Sequence, residues 1–233
     1  MSIYASFGII FFAALIHAFF QLDLGGLLLL YHASLKSHVT KKTRVLVSNF
    51  ILGVAFMLFL GLLASAFLVQ TLFKGSLPFE VLSLIVGILV VIAILIWAIY
   101  YRSGRSTELW LPRAVSRYIN SRARSTSSRI EAFSLGMLTS FSEFPFSFIL
   151  VFLSANSLLE FSPVFQLISI FGYLFIALLP LLICRLFIKK GKTVVDIQKW
   201  RQKNKPFLRF LSGCSFLVLA VFLFVFKILG GLL

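Results

Sequence analysis

Residues Val45 to Phe73 read VLVSNFILGVAFMLFLGLLASAFLVQTLF, a stretch without a single charged side chain. A helix crosses the hydrocarbon layer of a bilayer in about 20 residues, so this run is long enough to span with tilt. Its apolar residues are continuous rather than alternating, which predicts a helix and not a barrel strand. Every backbone polar group inside lipid needs an internal partner, and a helix supplies one. The whole chain follows suit. Of its 233 residues 60% are hydrophobic and 12% charged, against about 25% charged in an average soluble domain. Mean hydropathy is +1.04.

Five further runs resemble the first. The expected spans are Ser6–Tyr31, Val45–Phe73, Val81–Tyr101, Ile130–Leu153, Val164–Phe187 and Phe207–Leu229. The first run carries polar residues at mid-span and lacks a basic leader and a small-residue cleavage site. It is therefore expected to be a mature helix and not a signal peptide. The fold expected is all-α, a polytopic membrane protein of six helices.

The net charge of +15 is unevenly placed. Twenty of the 22 lysines and arginines fall in three segments, Lys36–Arg44, Arg102–Arg129 and Arg185–Arg209. Lys74 and Lys227 lie on the other side. This is the positive-inside pattern, and it predicts those segments in the cytoplasm with both termini outside. Basic loops so placed meet anionic lipid headgroups, and no nucleic-acid partner is expected. Cys184 and Cys214 fall near cytoplasmic helix ends, form no CxxC, and are expected as small apolar fillers.

The chain repeats itself in outline. Leu15–Asp23 can be laid on Met137–Pro145 without gaps, which puts His17 on Thr139, Gln21 on Glu143 and Asp23 on Pro145. Gly53 then matches Gly172, Gly61 matches Pro180, and Gly87 matches Gly213. Three helices per half give the halves opposite orientation, so the expected domains are inverted repeats, 1–101 and 130–233. Residues 102–129 join them as a basic cytoplasmic linker. Trp110, Leu111, Tyr118 and Ile119 interleave there with Arg113 and Arg117, the pattern of a segment lying at headgroup level. A flexible linker is the other reading. Ser125–Ser128 offers helix-start chemistry before the fourth span.

Two spans hold a carboxylate at membrane depth, Asp23 and Glu143. Insertion of such a group costs about 2.5–3.5 kcal/mol, so it persists mainly beside a polar cavity or a partner. His17 and Gln21 share a helix face. Asp23 lies about 200° round from Gln21, so all three meet only if the helix is distorted. Gly25 and Gly26 follow and permit a break. Thr139 and Glu143 share a face in the fourth span, and Pro145 removes a backbone donor there. The candidate binding set is Asp23, Glu143, His17, Gln21, Thr139, Ser140 and Ser142, with helix breaks at Gly25, Gly26 and Pro145. This mix of oxygen and nitrogen suits a proton, a hard cation, a divalent transition ion or an amine-bearing solute. Each residue also has a purely structural reading, as a hydrogen bond between helices. No P-loop, GxSxG, HExxH or CxxC occurs, so neither an enzyme nor a cofactor is expected.

Six spans, outside termini, inverted halves and polar or proline-containing breaks around His17–Gly26 and Thr139–Pro145 resemble the lysine exporter superfamily. The layout is also similar to the cation-efflux and tellurite-resistance families and to the membrane domain of cytochrome c biogenesis proteins. The redox members carry a cysteine in the first and fourth helices. Here those slots hold Gln21-Leu22-Asp23 and Glu143-Phe144-Pro145. The resemblance therefore implies transport without electron relay: a small exporter of a cation or amine-bearing solute in a bacterial cytoplasmic membrane. A non-transporting scaffold and a lipid or lipid-carrier translocase are the alternative functions. A homodimer is expected, because six helices leave little room for a lone transport path.

Overall fold

The computed structural model describes residues 3–20, 26–27, 30–31, 40–100, 113–189 and 203–231. They are helical throughout apart from short turns, with no strand among them. In chain order the helices are α1 (Ile3–Phe20), α2 (Thr40–Phe73), α3 (Phe79–Leu95), α4 (Arg113–Ser125), α5 (Arg129–Leu158), α6 (Pro163–Lys189) and α7 (Lys205–Leu223). Two end in π-helical turns: α3 in Ile96–Tyr100 and α7 in Phe224–Ile228.

Among the described residues four helical stretches are long and apolar enough to cross a bilayer: Lys42–Phe73, Phe79–Ala98, Pro163–Phe187 and Phe210–Ile228. A fifth is counted if the two arms of α5 are taken as one span. The first of the six expected spans is a shorter apolar helix, Ile3–Phe19, within the described residues. The apolar surface follows the helical period. On α6, Val164, Ile168, Phe171 and Phe175 form one exposed row, while Tyr173, Ala177, Leu181 and Cys184 are buried on the other side. An exposed apolar face of this extent marks a lipid or protein contact.

Helix α5 sits at the centre of the packing. It meets α2 over the longest shared interface and also touches α1, α4 and α6. Its start is built by a capping box. The Ser128 hydroxyl accepts the Glu131 backbone N–H, and the Glu131 carboxylate accepts the N–H groups of Ser127 and Ser128. Two orphan donors of the first turn are thereby satisfied. The α2–α5 crossing is close enough to exclude side chains. A Cβ on Gly53 would lie 2.0 Å from the Phe133 carbonyl oxygen, and one on Gly136 would lie 2.1 Å from that of Phe50.

Elsewhere α1 packs on α6 and α7, α2 also packs on α6, and α3 packs on α7. The glycines that the repeat matches have unlike surroundings. Gly53 is at the crossing, whereas Gly172 has open space where a side chain would be. Gly213 lies under the Trp97 indole, whereas Gly87 faces open space. The closest counterpart of Gly53 in packing is Gly136.

Candidate functional site

The candidate site grows from one face of α5. Gly136, Thr139, Ser140, Glu143 and Ser147 recur at helical spacing, and all are buried. Just after Glu143 the helix turns. The arms Arg129–Phe144 and Ser147–Leu158 meet at 90°, with Pro145 and Phe146 between them. A proline inside a helix lacks the N–H that would bond four residues back, which frees a carbonyl at the bend. Phe141, Phe144, Phe148 and Phe152 form a chain of ring contacts that runs across the corner. Phe144 also lies against Gly61 of α2, 2.9 Å from where a Cβ would be.

Glu143 is 4% exposed and makes an interaction of its own. The neighbouring hydroxyls are largely engaged with their own helix. Thr139 Oγ1 donates to the Leu135 and Gly136 carbonyls at 3.1 and 2.9 Å. Ser142 Oγ donates to the Thr139 carbonyl at 2.6 Å, and Ser147 Oγ to that of Glu143 at 3.3 Å. Such back-bonding bends helices and uses the donor, so Thr139 and Ser142 keep acceptor capacity only. Ser140 differs: its Oγ is buried and has no hydrogen-bond partner among the described residues.

His17 comes to the site from α1. It is buried, and its Nδ1 lies 2.9 Å from the Tyr173 hydroxyl of α6, with the rings edge to face. The other ring nitrogen, Nε2, is buried without a hydrogen-bond partner among the described residues. Ser169, one turn before Tyr173 on α6, also has a buried hydroxyl without a hydrogen-bond partner among the described residues. Thus three mutually touching helices each carry a buried polar atom with no hydrogen-bond partner among the described residues: His17 Nε2, Ser140 Oγ and Ser169 Oγ. Native interiors satisfy nearly all such atoms, and an exception calls for a water, an ion or a function.

Gly26 belongs to the same region. It is helical, and a Cβ there would sit 2.8 Å from Thr139 Cγ2 and 3.2 Å from the Phe50 ring. Its contribution is room for α5 to come close. Gln21, Asp23 and Gly25 lie outside the described residues. The structure therefore brings Gly26 to Thr139, and His17 to α6, while Thr139, Ser140, Ser142 and Glu143 follow one another along α5. Sequence reasoning missed Tyr173 and Ser169. Both are single polar residues inside an apolar run, and only the hydrogen bond to His17 singles Tyr173 out. Among the described residues no group of three His, Cys, Asp or Glu side chains is placed to hold a metal ion. The chain matches no protein family, no curated protein and no solved structure.

Proposed function

We propose that this chain is an integral membrane protein that works as a small secondary transporter, exporting a cation or a small amine-bearing solute. Its six spans form two inverted halves, 1–101 and 130–233, with both termini outside and the three basic segments in a bacterial cytoplasm. Those segments rest on anionic headgroups. The cross-wise packing supports the two-halved arrangement: the first helix of one half, α1, lies on the second helix of the other, α6, and α5 lies on α2.

One observation carries the proposal. Glu143 is buried on a helix that turns through 90° at the residues that follow it. Transporters commonly place ion and substrate groups where a helix is interrupted, because freed backbone and half-helix ends become ligands there. A carboxylate beside such an interruption takes a proton or a cation. His17 Nε2, Ser140 Oγ and Ser169 Oγ, without a hydrogen-bond partner among the described residues, add donors and acceptors on the three helices that touch there. Alternating access then follows from the two arms of α5 and their partners rocking about the bend, with Asp23 as the first half's acid.

The test is flux in proteoliposomes. Potassium, a divalent cation and ethylammonium are offered in turn, with a pH-sensitive dye reporting coupled protons. Glu143→Gln is isosteric and cannot ionise, so transport should fall to the rate of empty vesicles while the protein stays monodisperse. Undiminished flux in Glu143→Gln removes the acid from the mechanism. Absence of flux for every probe in the parent protein favours the scaffold function.

A further inference from the structure

Along α5, the far end from the arginine-rich start gathers three elements on one carboxylate. Glu160 lies in the turn between α5 and α6. Its Oε2 accepts the Ser6 hydroxyl of α1, and its Oε1 accepts the Lys227 ammonium from the π-helical turn after α7. Exposure is divided unevenly between the ion partners. The Lys227 side chain is 4% exposed, whereas that of Glu160 is 30% exposed. The ammonium is thus enclosed by the protein while the acid is partly exposed at its surface. Phe7 of α1 packs on Phe161 with ring centroids 4.5 Å apart and walls one side.

A carboxylate offers roughly four lone-pair sites, and Ser6 and Lys227 account for two donors here. An isolated ammonium buried in apolar surroundings is strongly disfavoured, so Lys227 depends on Glu160. The backbone around Lys227 provides a way to withdraw it. A π-turn holds more residues per turn than an α-turn, so tightening Phe224–Ile228 to α geometry rotates Lys227 away from its present direction.

We propose that Glu160 and Ser6 form an acceptor site for a primary ammonium group, which Lys227 fills from within as a tethered ligand that keeps the site shut. Its purpose rests on the transport reading, which it deepens by naming the solute class, an alkylammonium. When Lys227 swings away, a solute ammonium takes its place on the exposed carboxylate.

The experiment uses the full chain in lipid nanodiscs and reads thermal unfolding. Lys227→Ala should melt below the parent. Ethylammonium chloride should raise its melting temperature, and tetramethylammonium chloride at equal ionic strength should not, because it has no N–H to donate. The rise should vanish in Lys227→Ala/Glu160→Gln, and the parent should not respond. A second measurement leaves Lys227 in place. Modification of its amine by a bulky, membrane-impermeant ester, quantified by mass spectrometry, should be slow in the parent and about tenfold or more faster in Glu160→Gln, since breaking a buried pair raises the open population. An ethylammonium response that is missing from Lys227→Ala, or retained in the double variant, overturns the proposal. Where Lys227→Ala does not accumulate, an unchanged labelling rate in Glu160→Gln overturns it. Neither readout involves flux, so the failure of this site and the failure of the transport reading are separable.

Discussion

Gly53 and Gly136 decide how close α2 and α5 come, because each would place a Cβ about 2 Å from a carbonyl oxygen of the other helix. Backbone cannot swing aside as a side chain does, so the helices themselves must separate. Gly53→Ala and Gly136→Ala are each expected to cost about 1–3 kcal/mol, as overpacking does. Gly87 and Gly172 have nothing within 4 Å of the added methyl. Alanine there should be neutral or stabilising by up to about 1 kcal/mol, the helix-propensity difference. Unfolding of the four variants in one detergent checks the contrast, and equal effects at all four positions would remove the crossing as the cause. The sequence register pairs Gly53 with Gly172 and Gly87 with Gly213, yet in each pair only one glycine is packed against anything. A glycine in a sequence shows where a close approach is allowed and is silent on what approaches. Acids are more legible. Glu143 stands out in an apolar run because burial of a carboxylate is costly, whereas a tyrosine such as Tyr173 does not.

Helix α4 is amphipathic in structure as its residues promise. Ile119 and Ala123 are buried, and Arg117, Tyr118, Arg122 and Arg124 are exposed. Thr126 and Ser127 alone separate its end from the Ser128 cap of α5, so it lies at the mouth of a candidate span. Under the proposed contact with anionic headgroups, each of its arginines is worth about 1 kcal/mol. The triple variant Arg117→Gln, Arg122→Gln and Arg124→Gln should lose most of the extra thermal stability that anionic nanodiscs give over zwitterionic ones. An equal gain in parent and variant would take α4 off the lipid surface. This element was legible, and so was the capping box of Ser128 and Glu131, because both are local patterns within a few residues. The His17–Tyr173 and Glu160–Lys227 contacts join residues 156 and 67 positions apart. No periodicity encodes such partners; only the packing of α1, α5, α6 and α7 does. The 90° corner of α5 lies between the two cases. Pro145 marks the place, but no local pattern gives the angle.

At the scale of the molecule the property that matters is sidedness, which end faces which compartment. Lys74 sits in the turn after α2, with φ of 54°, followed by Gly75 at 92°. Asn156 Oδ1 accepts the Leu77 backbone N–H at 3.1 Å, which ties that turn to the end of α5 that also holds Glu160 and Lys227. Arg124 lies near the other end of α5. Between Lys74 and Arg124, among the described residues, stands one stretch long and apolar enough to cross, Phe79–Ala98. If it spans, the two positions must fall on opposite sides of the bilayer, whatever the orientation. The proposed orientation, read from the charge asymmetry, puts arginine-rich α4 inside and Lys74 outside. Single cysteines at 74 and 124, in a chain with Cys184 and Cys214 replaced by serine, make this measurable with an impermeant maleimide. In intact cells Lys74→Cys should label and Arg124→Cys should not, and inverted vesicles should reverse the pattern. Labelling of both from one side would deny that Phe79–Ala98 crosses. Opposite sides with the reverse sign would keep the span and overturn the orientation, moving the Glu160 site to the cytoplasmic face and making it an entrance for exported solute.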